Sequence, residues 1–223
     1  MSELWFDGEW LTLRRRADHQ SRNTLLNEET NYALNTRGRA NLVDLGAGHG
    51  NNAQYLIEWL EQPQHWRLID QDSKLLAHAQ KTLLPKLGQR HTLQTLTADL
   101  NHLDLVALNE QWPIDLVTAS ALFDLASAEW LAKLVDQVTS IGALALWVLN
   151  VNGYWKIEGS KHPLDETIRA AFNQHQTKVK GLGEGRALGA MAVVEAERLF
   201  KARGYQVQTQ TSTWNLLAGS AYT

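Results

Sequence analysis

The 223-residue sequence contains no cysteine, which excludes disulfide bonds, thiolate metal ligands and a cysteine nucleophile. It also lacks a basic excess, since 21 Lys and Arg residues face 24 Asp and Glu residues. A general electrostatic attraction to nucleic acids or to anionic membranes is therefore not expected. The longest apolar run, residues 143–149, is far shorter than the roughly 20 residues that span a bilayer. With no signal-peptide pattern at its start, we expect a cytoplasmic protein.

Metal binding is not expected either. The spacings among the eight His residues match no established metal-ligand pattern, so we predict no metal site. The hydrophobic fraction of 44% is sufficient for a substantial core, and the length suits one domain with an elaboration.

Short apolar segments alternate with helix-type patterns between residues 40 and 150. Strands are predicted at residues 41–45, 66–70, 92–97, 114–119 and 143–150, with amphipathic helices between them. This alternation predicts an α/β fold with a doubly wound, mostly parallel sheet and helices on both faces. Ligands of such sheets bind at the carboxyl ends of the strands.

The flanking regions predict additional parts. Residues 1–38 are interpreted as an N-terminal helical cap over the active site, with one helix-permissive segment from Arg14 to Thr36. Residues 39–223 form the predicted main domain. Within it, residues 154–189 are a predicted substrate lid, because glycines recur at positions 181, 183, 185 and 189. Residues 205–211 alternate like a sixth strand.

The strongest motif is Asp44-Leu45-Gly46-Ala47-Gly48-His49-Gly50, between the first predicted strand and its helix. Glycines allow a sharp turn and close approach of the backbone to a ligand. The third glycine comes one residue too early for the dinucleotide pattern G-x-G-x-x-G. A carboxylate at the strand end would repel a phosphate but would suit a sulfonium or an ammonium group.

This segment resembles motif I of the class I S-adenosylmethionine-dependent methyltransferases, which have a Rossmann-like fold. The resemblance implies S-adenosylmethionine as the cofactor. It places Asp44 beside the methionine end of the cofactor. It assigns close approach to the ligand to a turn formed by Gly46, Ala47, Gly48 and Gly50.

Further acidic residues match the family at the next two strand ends. Asp70, with Gln71 beside it, resembles the acidic residue that binds the ribose hydroxyls, and a carboxylate can accept both. Asp99 resembles the residue that accepts a hydrogen bond from the adenine amino group, with Ala98 and Leu100 flanking the ring.

The segment after the fourth strand carries the predicted transfer site. Ser120 and Ala121 fall where the family lines the cofactor, and Asp124 follows within reach of a transferred methyl group. Asp124 is our candidate catalytic residue, as a base or as a group that orients the nucleophile. The alternative is a carboxylate that stabilises a helix N-terminus.

Five residues are candidates for substrate binding. Two aromatic side chains are candidate walls of the binding site, and three polar ones fall in the region that class I enzymes often use for substrate. They are Trp10, Trp155, His162, His175 and Arg186.

The expected function is methyl transfer to oxygen or nitrogen of a small molecule. Residues 120–123 read Ser-Ala-Leu-Phe and lack the Asn/Asp-Pro-Pro-aromatic element of nucleobase amino methyltransferases, which disfavours N-methylation of a nucleobase. Two alternatives stay open: a non-catalytic cofactor-binding module or regulatory subunit, and a nicotinamide-dependent oxidoreductase. A homodimer is also left open. The sheet of this family ends with an antiparallel seventh strand beside the sixth, and residues 214–217 begin a further segment. Three alternatives stay open: a short seventh strand, its replacement by a partner chain, or a natural protein that continues.

Overall fold

The computed structural model describes residues 8–38, 40–160 and 162–216, and within them five strands and eight α-helices. The strands are β1 (Ala40–Leu45), β2 (Gln64–Asp70), β3 (Thr92–Thr97), β4 (Leu116–Ser120) and β5 (Leu144–Val148). The helices are α1 (Gly8–Ser21), α2 (Thr24–Asn35), α3 (Asn51–Trp59), α4 (Ser73–Leu83), α5 (Leu105–Gln111), α6 (Ala128–Ser140), α7 (Leu164–Gln176) and α8 (Ala192–Ala202).

The five strands form one parallel sheet in the order β3-β2-β1-β4-β5. The order reverses direction at β1, which is the hallmark of a doubly wound sheet. All six residues of β1 are buried, as expected for the central strand of a parallel sheet. The predicted α/β class and parallel sheet are confirmed.

The chain divides into two compact units. The first contains the residues up to Ser120, Gln137–Leu149 and the segment from Gln208, and the second contains Ala121–Asp136 and Asn150–Val207. All five strands belong to the first unit, whose core includes Leu42, Leu56 and Trp66.

The second unit is organised around residues 123–136. Phe123 packs against Trp130, and the backbone N–H of Ser127 donates to the carbonyl of Leu182 at 2.8 Å. At Gly183 a Cβ atom would lie only 2.2 Å from Ser127 Oγ, so a side chain does not fit there. The predicted lid, residues 154–189, falls in this unit, and its glycine-rich end is held by backbone hydrogen bonds. Its opening and closing stay a prediction.

The helix-permissive segment from Arg14 to Thr36 contains parts of two helices, because the Asn23 side chain accepts a hydrogen bond from the Leu25 N–H and starts α2 there. The predicted sixth strand is wrong. Residues 205–216 contain no strand. Burial alternates from Tyr205 to Gln208, but alternation specifies an extended chain and not a hydrogen-bonded neighbour. Residues 1–7 of the predicted cap and Leu217 lie outside the described residues.

Gly50 illustrates how packing constrains the first unit. It precedes α3 with φ of 75°, and a Cβ there would lie 2.8 Å from Leu83 Cδ1 and 3.1 Å from the Ala79 Cβ. Gly50 is therefore needed both for its left-handed backbone and for close packing of α3 against α4.

Gly50→Ala is expected to lower the free energy of unfolding by about 2–4 kcal/mol, because left-handed strain and overpacking add. Gly38→Ala is the matched control, since Gly38 has φ of 69° with nothing within 4 Å of its Cβ position. That control should lose only about 1–2 kcal/mol. Urea denaturation measures both, and equal losses would show that the contacts at Gly50 are relieved without cost.

Candidate cofactor site

The candidate site lies in the first unit, at the carboxyl ends of adjacent strands. Asp99 follows β3, Asp70 ends β2, Asp44 lies one residue before the end of β1, and Ser120 ends β4. Because these strands are parallel neighbours, their carboxyl ends share one edge of the sheet. The structure thus brings the predicted acidic residues to a common edge.

The glycine turn after β1 has a strained backbone that only glycine adopts readily. Gly46, Gly48 and Gly50 have φ values of 63°, 52° and 75°. The turn is tied to β2, because the Ala47 N–H donates to the Ile69 carbonyl at 3.0 Å.

Asp70 fixes the middle of this turn. One carboxylate oxygen, Oδ2, accepts from the Gly48 N–H at 2.8 Å, and Oδ1 accepts from the Asp72 N–H at 2.9 Å. Each oxygen keeps a further lone pair for a ligand hydroxyl. Asp72, and not Asp70, caps α4 by accepting from the Lys74 N–H at 2.8 Å.

Asp99 is more open than Asp70. Its side chain is 45% exposed, and its Oδ2 atom lies 3.1 Å from His102 Nδ1. The backbone N–H of Ala98 donates to the Asp70 carbonyl at 3.0 Å, which links the ends of β2 and β3. Leu100 beside Asp99 is half-buried, whereas Gln71 is exposed.

A buried polar network surrounds Asp44. Asn52 Nδ2 donates to Asp44 Oδ1 at 2.9 Å and lies 3.1 Å from Thr118 Oγ1 on β4. The other amide atom, Asn52 Oδ1, accepts from Arg22 Nη1 at 2.7 Å. Asn52 therefore separates a carboxylate from a guanidinium group while bonding both.

Burial is the largest cause of the pKa shifts of Asp44 and Arg22. Asp44 is 1% exposed, and burial raises its pKa to about 7, although the Asn52 hydrogen bond and the Arg22 charge oppose this. Burial lowers the pKa of Arg22 to about 10, so it stays cationic at neutral pH. Within the described part of the chain, Asp44 Oδ2 and Arg22 Nη2 are buried without a hydrogen-bond partner. A buried polar atom left in this state costs about 1–3 kcal/mol, and more when it is charged.

Helix α1 packs on the glycine turn. A Cβ at Gly8 would lie 2.9 Å from the His49 ring, and one at Gly48 would lie 3.2 Å from Leu11. Asn51 Nδ2 donates to the Leu11 carbonyl at 2.7 Å. These contacts agree with a helical cap near the turn, and its role over an active site stays a prediction.

His49 contributes a further contact to the turn. Its ring stacks on His78 at a centroid distance of 4.0 Å, so its side chain has a packing role that the sequence did not indicate. Burial, followed by the neighbouring His78, lowers the pKa of His49.

The predicted residues of the second unit are held by local contacts. Asp124 is buried in a single 3-10 turn, Phe123–Leu125, and Ala121 has φ of 52°, unusual for a non-glycine residue. Arg186 donates to the Thr177 carbonyl at 3.0 Å. None of these contacts tests a catalytic or substrate-binding role.

The remaining substrate candidates are mostly exposed. His162 Nδ1 accepts from the Leu164 N–H at 3.2 Å, and His175 Nδ1 lies 3.4 Å from Lys180 Nζ. The Trp155 carbonyl accepts from Arg169, and Trp10, in the first unit, is 45% exposed. Their roles stay predictions.

Solved structures share this architecture. The cyclopropane synthase MmaA2 from Mycobacterium tuberculosis aligns with a TM-score of 0.50 at 14% identity, over 82% of this chain and 61% of its own. The mycolic acid cyclopropane synthase CmaA1, complexed with SAH and CTAB, gives the same values. This chain has the class I methyltransferase fold. It spans 61% of the length of each of these two chains.

At this level of identity the likeness concerns the fold alone. No protein-family model and no curated protein sequence matches the chain. In the described ranges, no helix is long and apolar enough to cross a membrane. No group of three His, Asp or Glu residues suited to a metal ion occurs there either.

The sequence analysis did not identify three residues of the polar network around Asp44. Asn52 lies two residues after the glycine motif, and Thr118 is a polar residue between apolar neighbours in β4, so the sequence indicated both only weakly. Arg22 left none, because it is one of 21 basic residues and lies 22 positions before the motif residue Asp44. The packing of α1 and α2 against α3 brings it to Asn52.

Asp44 is expected to make stability depend on pH. Its pKa rises from 3.8 to about 7 on folding, so between these values the folded chain holds a proton that the unfolded chain has released. The free energy of unfolding therefore falls as pH rises through this window. Asp44→Asn removes this effect, and its stability relative to the natural sequence should increase from pH 4.5 to 7.5 by about 3 kcal/mol.

Urea denaturation at several pH values measures this difference. Asp104→Asn is the control, since Asp104 is exposed and Asn also caps a helix, and it should show no comparable increase. A pH-independent difference for Asp44→Asn would contradict a buried carboxyl group with a raised pKa.

Proposed function

We propose that the chain is an S-adenosylmethionine-dependent methyltransferase that acts on oxygen or nitrogen of a small molecule. The observation that carries this proposal is the buried carboxylate of Asp44, which keeps one unpartnered oxygen beside a glycine turn fixed by Asp70. A cationic, hydroxyl-bearing ligand matches these groups, whereas an anionic one does not.

The chemistry of the strand ends fits the parts of this cofactor. Asp70 would accept the two ribose hydroxyls with the lone pairs that Gly48 and Asp72 leave unused. Asp99 would accept from the adenine amino group, with Ala98 and Leu100 beside the ring. Gln71, Ser120 and Ala121 are the further proposed contacts.

A nicotinamide dinucleotide fits less well. Its pyrophosphate would need the N–H groups at the start of α3, but Asp44 and Asp70 place two carboxyl groups close to this turn. The Cα of Gly50 also packs against side chains of α4. The charge pattern therefore favours a ligand with a positive centre.

For methyl transfer, the protein mainly has to orient the acceptor. The cofactor supplies a methyl group already activated by its sulfonium centre, and orientation can contribute roughly 7–11 kcal/mol to lowering a barrier. An alcohol acceptor must also lose a proton, and we propose Asp124 as the group that accepts it.

Calorimetric titration with S-adenosylhomocysteine tests the cofactor. We expect micromolar binding that weakens at least tenfold in Asp70→Ala, because the ribose hydroxyls lose their acceptor. Asp72→Asn is the matched control, since it keeps a helix-capping side chain two residues away and should bind within twofold of the natural sequence. Absence of binding by the natural sequence, or stabilisation by NAD(P) instead, would contradict the proposal.

Turnover with a panel of small alcohols and amines tests catalysis. For an alcohol acceptor, Asp124→Asn should lower kcat at least 100-fold, the lower range for a general base, while binding of S-adenosylhomocysteine stays within twofold. Thermal melting checks that the variant is folded. Cofactor binding without turnover of any acceptor would instead indicate a non-catalytic binding module.

A further inference from the structure

We propose that helix α7 forms a contact surface for a second copy of this chain, with the two α7 helices packed antiparallel around a twofold axis. The surface, here called the α7 stripe, consists of Leu164, Thr167, Ile168, Ala171 and Phe172. It lies entirely within the second unit. The inference goes beyond the proposed function and does not depend on cofactor binding.

The α7 stripe exposes large apolar side chains in a continuous row. Leu164, Ile168 and Phe172 are 53%, 53% and 42% exposed. Because they are spaced four residues apart, they lie on one side of the helix. Single exposed apolar residues are ordinary on a protein surface, whereas a contiguous apolar row indicates a contact surface. Thr167 and Ala171 are also exposed and complete the row with small side chains.

The side of α7 that faces its own chain is polar. No residue of α7 is buried, and Arg169 and Asn173 are half-buried. Arg169 Nη1 donates to the Trp155 carbonyl at 3.1 Å, and Asn173 Nδ2 donates to the Gly153 carbonyl at 2.8 Å. A surface helix normally turns its apolar side to its own core. These polar contacts therefore hold α7 in place and leave its apolar side available to another molecule.

The distribution of charge along α7 favours a second copy as that molecule. Asp165 and Glu166 lie in the first turn, whereas Lys178 and Lys180 follow the last one. In an antiparallel pair, the acidic end of each helix lies beside the basic end of its partner, and the two helix dipoles oppose each other. The α7 stripe itself carries no formal charge, so its self-contact brings no like charges together.

A lipid surface fits α7 less well. Helices that lie on membranes carry several Lys or Arg residues beside their apolar side. Within α7, Arg169 stands against the acidic Asp165 and Glu166. Arg169 is also ion-paired with Glu166, and its guanidinium carbon lies 5.1 Å from the centre of the Tyr154 ring. The helix therefore lacks the positive charge that anionic lipids attract.

The residue spacing specifies how the two helices would pack. Leu164, Ile168, Ala171 and His175 follow one another at intervals of four, three and four residues, which is the pattern of a coiled-coil seam. In the antiparallel arrangement the twofold axis passes between Ile168 and Ala171, and the small Ala171 side chain lets the backbones approach closely. The seam is about 16 Å long. A seam this short buries less than the roughly 1,200 Å² of a standard interface, so we expect a micromolar dissociation constant.

Sedimentation equilibrium from low micromolar to several hundred micromolar protein tests self-association. The natural sequence should show a reversible equilibrium between monomer and dimer. Ile168→Glu should weaken dimerisation at least about 100-fold, because it places two carboxylates near the twofold axis. Val106→Glu is the matched control, since Val106 is 39% exposed on α5 in the first unit, and its dissociation constant should stay within twofold of the natural one. Thermal melting checks that both variants are folded.

Disulfide trapping tests the antiparallel orientation, because the natural sequence contains no cysteine that could interfere. Under mild oxidation Ala171→Cys should form a covalent dimer, since its symmetry mate lies close across the axis. Leu164→Cys should not, because its mate lies about 16 Å away along the helix, beyond the reach of a disulfide. A mixture of Leu164→Cys and His175→Cys should form a mixed covalent dimer, because antiparallel packing pairs these two positions.

Three results would overturn the inference. The first is a natural sequence that stays monomeric at every concentration, and the second is a dimer that Ile168→Glu weakens no more than Val106→Glu does. The third is equal crosslinking of Ala171→Cys and Leu164→Cys, which would indicate a parallel pair or random collision. A monomer that cosediments with vesicles of anionic lipid, and loses this binding in Ile168→Glu, would assign the α7 stripe to a membrane surface instead.

Discussion

The burial of the Asp44 carboxyl group is the constraint on which the candidate site depends. A buried carboxylate destabilises a fold unless hydrogen bonds and opposite charges compensate it. Here Asn52, Arg22 and the backbone of Ala53 oppose the cost of burial, while Oδ2 stays without a hydrogen-bond partner among the described residues. The fold therefore keeps a group that stability alone does not favour, in the place where a cationic ligand would pair with it.

The glycine turn and the acidic strand ends act as one unit. Asp70 accepts from the turn through Gly48, and its own backbone accepts from Ala98 beyond β3. A substitution at the end of one strand should therefore shift the backbone at the end of the neighbouring strand. The same hydrogen bonds would hold the side chains that contact a nucleoside in place before it binds. Less conformational entropy would then be lost on binding.

Local patterns predicted much of the first unit. The alternation of apolar segments predicted the parallel sheet, and the positions of Asp44, Asp70 and Asp99 after successive apolar segments predicted that they share one edge of it, because strand ends follow from the chain order. Arg22 and the break at Asn23 were not predictable in this way. Their positions depend on how α1 packs on α3, a long-range contact that carries no sequence period. The predicted sixth strand failed for a related reason, since its hydrogen-bonded neighbour was not encoded locally.

The account is tested most directly by a crystal structure of the protein with bound S-adenosylhomocysteine. We expect the α-ammonium within hydrogen-bond distance of Asp44 Oδ2 and the ribose hydroxyls on Asp70. A complex in which the ligand lies elsewhere, with Asp44 Oδ2 still buried and unpartnered, would contradict the claim that this carboxylate is retained for the cofactor.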